Sequence, residues 1–157
     1  MTKNEIMLAY VHRCPDIRRL YFTAGEMLPD AVQITASSVE TAAQTAYIDG
    51  SRLRYLDYNL IWFRPLAVTP VRNPATGTYN HAVAEVDDIQ SIIDWVEAQN
   101  DAHNLPEFGD GYVTDSIRCL QAVPQLLGID QSYNPPLARY TFTLRVEFLD
   151  LTRCKIN

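Results

Sequence analysis

The chain has 157 residues, 47% of them hydrophobic and 20% charged, with 13 basic against 19 acidic side chains and a net charge of −6. That length fits one domain, residues 1–157, which buries roughly 68–70% of its unfolded surface and needs no metal or disulfide to build a core. The apolar content excludes intrinsic disorder, and 6 Gly and 9 Pro exclude a collagen-like or low-complexity chain.

No apolar run approaches the ~20 residues of a membrane span, and the first stretch of chain carries no signal-peptide core. The negative charge argues against sequence-independent nucleic-acid binding, which rests on phosphate neutralisation. Cys14, Cys119 and Cys154 share no metal-ligand spacing and read as free thiols in a reducing compartment.

Residues 2–13 predict a helix, with Thr2 and Glu5 as a capping box and Met7, Tyr10, Val11 and Cys14 at helical spacing. Pro15 ends it, and residues 16–21 suggest a second helical turn. Gly25 and Pro29-Asp30 mark a loop. Residues 31–37 alternate as a strand, with Val32, Ile34 and Ala36 on one face, and a further strand is expected over 41–47. Asp49-Gly50 is a strong hairpin signal, because glycine takes the positive φ the turn requires.

Residues 52–64 form the next expected strand, apolar on both faces: Leu53, Tyr55, Ile61 and Phe63 on one, Leu56, Tyr58, Leu60 and Trp62 on the other. Such a strand is covered on both sides, by its own fold or by a partner chain. A long loop follows over about 65–85. A helix capped by Asp87 or Asp88 runs to about Asp101, burying Ile89, Ile92, Ile93 and Val96, and Leu105-Pro106 and Gly109-Asp110-Gly111 stop it. Residues 116–123 read as a strand and 124–136 as a second long loop. Last comes the clearest period-two pattern: Ala138, Tyr140, Phe142, Leu144, Val146 and Phe148 against Arg139, Thr141, Thr143, Arg145 and Glu147. The fold class is α+β, a mostly antiparallel sheet with two principal helices on one face.

Phosphate-cradle and nucleophile-elbow motifs are absent from the sequence. His12, His81 and His103 lack a partner at metal-ligand spacing, and no metal or cofactor is expected. Asp87-Asp88 is explained by a helix N-terminus, and Cys14 and His12 do not face each other on a helix. No catalytic residue is assigned.

The charges are informative in order. The basic residues are 11 Arg and 2 Lys, and Arg is the residue of bidentate pairs and interfaces. Residues 51–72 carry four basic side chains and one acidic; residues 73–117 carry nine acidic and none basic. Either these are solvated faces, or they are complementary patches that make a head-to-tail contact between subunits. On the second reading the candidate contacts are Arg52, Arg54, Arg64, Arg118, Arg139 and Arg145 against Asp87, Asp88, Asp94 and Glu97. Arg72, Asn73, Tyr79 and His81 are then candidates for a loop facing a lumen or a partner.

Several segments occur together in a set order: a helix ending at Cys14-Pro15, then Tyr47-Ile48-Asp49-Gly50-Ser51, Ile93-Asp94-Trp95-Val96-Glu97-Ala98-Gln99-Asn100, Asn104-Leu105-Pro106, and the strand opening Ala138-Arg139-Tyr140. From about residue 6 to 150 this order resembles the tail terminator or minor capsid (tail completion) proteins of long-tailed bacteriophages, especially those of Gram-positive hosts. The chain departs from that pattern in the 65–82 loop and around 124–135. The resemblance implies a tail-terminator-like subunit that assembles with itself, typically as a hexameric ring, on the last ring of the tail tube protein. There it ends tube polymerisation and presents a surface to the head-tail connector or stopper protein. It implies a place in the virion tail or neck, no catalysis, no membrane, and DNA that passes through without specific binding; acidic surface lining the lumen would repel its phosphates. Alternatives are another head-tail completion or connector protein of the neck, an adaptor binding a peptide at a sheet edge, or a small ligand-binding or enzymatic α+β domain, with calcium the first ligand to consider.

Overall fold

The computed structural model describes residues 1–22, 31–36, 45–66, 71–80 and 83–154. Its centre is the pairing of the two longest period-two segments, β4 (Arg52–Pro65) and β9 (Leu137–Asp150), antiparallel from Arg52 opposite Asp150 to Pro65 opposite Leu137. Each long strand is flanked by two shorter ones. On the outer side of β4 lie β2 (Ala31–Ala36) and β3 (Thr45–Ala46); on the outer side of β9 lie β7 (Tyr112–Cys119) and β8 (Gln125–Asp130). A strand β1 (Arg19–Phe22) pairs parallel to β2 and completes a seven-stranded, otherwise antiparallel sheet. A separate two-stranded hairpin joins β5 (Val71–Arg72) to β6 (Tyr79–Asn80).

The helices α1 (Lys3–Val11) and α2 (Val83–Asp101) cover one face of the sheet. Thr2 caps α1 in a reciprocal box with Glu5, as the sequence predicts. Met7, Tyr10 and Val11 of α1 and Ile89, Ile92, Ile93 and Val96 of α2 meet Tyr58, Leu60 and Trp62 of β4 and Phe142 to Phe148 of β9 in one core. The second helix ends in a Schellman motif: Asn104 N–H donates to Gln99 O, His103 N–H to Asn100 O, and His103 takes φ 55°.

Several sequence readings need correction. Residues 19–22 are a strand, because Leu20 and Phe22 alternate onto the core and find a partner in β2. The second helix begins at Val83, so Asp87 and Asp88 lie inside it and neither caps it; the Asp88 carboxylate is drawn to Arg64 instead. The strand read at 116–123 is shifted toward the N-terminus: β7 covers Tyr112–Cys119, and residues 120–123 form the bend into β8. The segment 124–136, read as a loop, contains the six-residue β8. The 65–85 loop likewise contains the β5–β6 hairpin and the first turn of α2. The loop read at Gly25 and Pro29-Asp30 lies outside the described residues, as does most of the strand read at 41–47.

The face of β4 turned away from the helices is half-buried along most of its length. Only near its end is it closed, where Ala31, Phe63 and Leu137 are buried. Within the chain itself, that end of β4 is covered on both sides.

Candidate functional site: the sheet edges and the motif residues

The motif segments are structural. Tyr47 N–H donates to Ser51 O and Gly50 N–H to Tyr47 O, closing a three-residue hairpin loop between β3 and β4. Asp49 accepts both the backbone N–H and the hydroxyl of Ser51, which hold its carboxyl below the usual range. The same Asp-x-Ser/Thr device recurs at Asp130 with Ser132 and at Asp150 with Thr152. Trp95 packs its ring 5.6 Å from that of Tyr10. Asn100 accepts the Ile117 N–H, tying α2 to β7. The Tyr10 hydroxyl donates to Asn104 O at 2.6 Å, and its burial pushes its pKa up to about 12. The motif segments therefore close the β3–β4 hairpin, join α1 to α2 and its C-terminal turn, and tie α2 to β7.

The candidate interface arginines are mostly engaged within the chain. Arg145 makes two 2.8 Å contacts with Asp57 across the β4–β9 ladder and lies 4.0 Å from the Tyr55 ring centroid. The bidentate hydrogen bond to Asp57 holds Arg145 protonated even more firmly than usual. Arg54 pairs with Asp150 at 3.0 Å, Arg64 with Asp88 at 2.7 Å, and Arg118 with Glu147 at 3.2 Å. Arg139 is half-buried and lies across Gly128 of β8; Arg52 is half-buried at the start of β4. Among the candidate acids, Asp94 accepts from Gln90, while Asp87 and Glu97 are exposed on α2. In the hairpin, Arg72 is exposed and Asn73 closes the turn, accepting Ala75 N–H on its side chain and Gly77 N–H on its carbonyl. The Tyr79 backbone pairs with Arg72, and His81 lies outside the described residues.

Asp150 shows how these pairs couple to pH. Its burial alone would raise the carboxyl, but hydrogen bonds from the Thr152 side chain and backbone, with the Arg54 guanidinium, hold it below the usual range. A depressed native pKa stabilises the fold above the unfolded value near ~3.9 and loses that effect as pH falls through the native one. Asp150→Asn is therefore expected to lower stability by about 1–2 kcal/mol at pH 7. The difference from wild type should shrink below about pH 4 in thermal melts.

The geometry offers little for covalent chemistry. Burial, with Glu97 nearby, raises the Cys119 thiol to about 12, and burial raises Cys14 as well, which suppresses the thiolate a nucleophile needs. Among the described residues no group of three His, Cys, Asp or Glu side chains is placed to hold a metal ion, and no helix is long and apolar enough to cross a membrane. A pocket of about 460 Å³ lies between the segment joining α1 to β1, β4 and α2, lined by Asp16, Arg18, Trp62, Arg64 and Asp88. Both carboxylates in it are occupied, Asp16 by the Ser91 hydroxyl and Asp88 by Arg64.

The feature missed in the sequence is the β7–β8 edge. Leu120, Val123, Leu126, Leu127 and Ile129 are 41–59% exposed along the bend and β8. Their signal was the apolar Leu126-Leu127 and Ile129 within a segment otherwise bounded by Pro124 and Pro135. A row of apolar side chains on a strand that, among the described residues, has no outer neighbour is a surface suited to another chain.

No protein-family model and no curated protein matches the chain.

Proposed function

We propose that the chain is a structural subunit of a bacteriophage tail. It assembles as a ring, six copies in the first instance, on the end of the tail tube, stops tube growth, and presents the opposite face to the head connector. The observation that carries this reading is the exposed apolar β7–β8 edge, which an assembling subunit keeps for its neighbour. The ordered motif segments support it, since Asn100 of α2 holds β7 and so keeps this edge in place. DNA crosses the ring without specific contacts, and the net charge of −6 per chain suits a passage that repels phosphates.

Sedimentation and light scattering test the assembly. The expected result is a particle of six 17.8 kDa chains, formed in solution or on added tube. A chain that stays monomeric at high concentration and in the presence of tube contradicts the reading.

A further inference from the structure

The two edges of the sheet differ in chemistry. On one side, the apolar bend and β8 are bordered by a stripe of α2. Gln90 donates to both Asp94 and the Ala122 carbonyl, so this face of the helix lies against the bend. Asp94, Glu97 and Asp101 follow at helical spacing and are exposed. On the other side stands β1. Arg18 and Arg19 are exposed there, Leu20, Tyr21 and Phe22 are half-buried, and the nearby Asp16 is held by Ser91.

We infer that copies of this chain join head to tail, the apolar, acid-bordered β7–β8 edge of one docking on the arginine-bearing β1 edge of the next. The inference rests on the ring reading and adds which surfaces meet. The occupant follows from charge complementarity: exposed carboxylates of α2 border the apolar edge of one copy, and the exposed guanidiniums of Arg18 and Arg19 mark the β1 edge of the next. The two edges are different patches, so the contact is heterologous and each copy uses both. The strand arginines Arg54, Arg64, Arg118 and Arg145 already pair with carboxylates of their own chain, whereas Arg18 and Arg19 stand exposed side by side at the β1 edge. Because the charges are exposed, the contact weakens with salt.

Two charge-reversed chains test it by sedimentation velocity, with thermal melts to show that each folds. Arg18→Glu/Arg19→Glu and Asp94→Arg/Glu97→Arg are each expected to weaken self-assembly by more than about 100-fold, since like charges then face each other. Mixed in equal amounts they regain it, alternating around the ring, and one chain carrying all four changes assembles alone. Unchanged assembly of either reversed chain overturns the inference, as does a mixture that stays monomeric. A symmetric β8-to-β8 dimer is betrayed by Arg18→Glu/Arg19→Glu assembling like wild type. If assembly obeys the charges but tails made without the chain have normal length, the edge contact stands and tube capping falls. If tail length depends on the chain but reversal changes nothing, capping stands and the edge contact falls.

Discussion

Phe148→Ala is expected to destabilise the fold by about 4 kcal/mol, a fall of about 8–16 °C in melting temperature for a domain of this size. Phe148 is fully buried where the end of β9 passes beneath α1. Its ring meets Phe108 at 5.2 Å and Tyr112 at 5.9 Å, both edge-on, and the Lys3 ammonium stands 5.6 Å from its centroid. Alanine leaves a cavity that β4, β9 and α1 cannot jointly collapse, and it removes two aromatic contacts worth about 0.5–1.5 kcal/mol each. Phe148→Leu retains most of the volume and should cost about 1.5 kcal/mol. Leu127→Ala is the informative contrast. That side chain is 54% exposed, so its loss should change stability by less than about 0.5 kcal/mol while weakening assembly. Urea denaturation of the three variants gives the comparison directly; a Leu127→Ala change as large as Phe148→Ala would show that β8 is core rather than a docking edge.

The second large effect is expected at Gly50. Its φ is +92°, and a Cβ there would stand 2.2 Å from the Arg153 carbonyl oxygen. Alanine therefore meets both a disfavoured backbone conformation, at about 1–2 kcal/mol, and a backbone atom that cannot rotate away. The loss is expected near ~3 kcal/mol, with the C-terminal turn after Asp150 displaced. Gly109 separates the two causes. Its φ is +96°, but a Cβ added there would meet nothing within 4 Å, so Gly109→Ala should cost only about 1 kcal/mol. Equal losses at the two sites would mean that the close approach to Arg153 is not what requires glycine.

These two sites mark what the sequence made legible. Period-two alternation placed β9 and β4 nearly to the residue, because both run far enough for one buried face to dominate the pattern. The capping box of α1 and the Asp49-Gly50 turn were legible because their chemistry is local, within four residues. The position of β7 was blurred by the register shift between Thr114 and Ser116, which breaks the alternation. The strand β8 was hidden by Pro124 and Gly128 and by an apolar row that no core covers. The ion pairs were not legible at all. Arg145 and Asp57 stand 88 residues apart, and only the β4–β9 register brings them opposite each other. For that reason the strand arginines read as a basic patch, while in the fold Arg54, Arg64, Arg118 and Arg145 pair with their own chain's carboxylates. Of the candidate acids, Asp94 and Glu97 lie exposed on α2 beside the apolar bend and β8.

The central proposal is that this chain caps a tail tube. Electron microscopy of tails assembled with and without it tests that claim most directly. Omission is expected to give overlong tails of scattered length that do not join heads, and restoring the chain should return a single length. Tails of normal, uniform length in its absence would contradict tube capping; if such tails also failed to join heads, the chain would act in the neck instead.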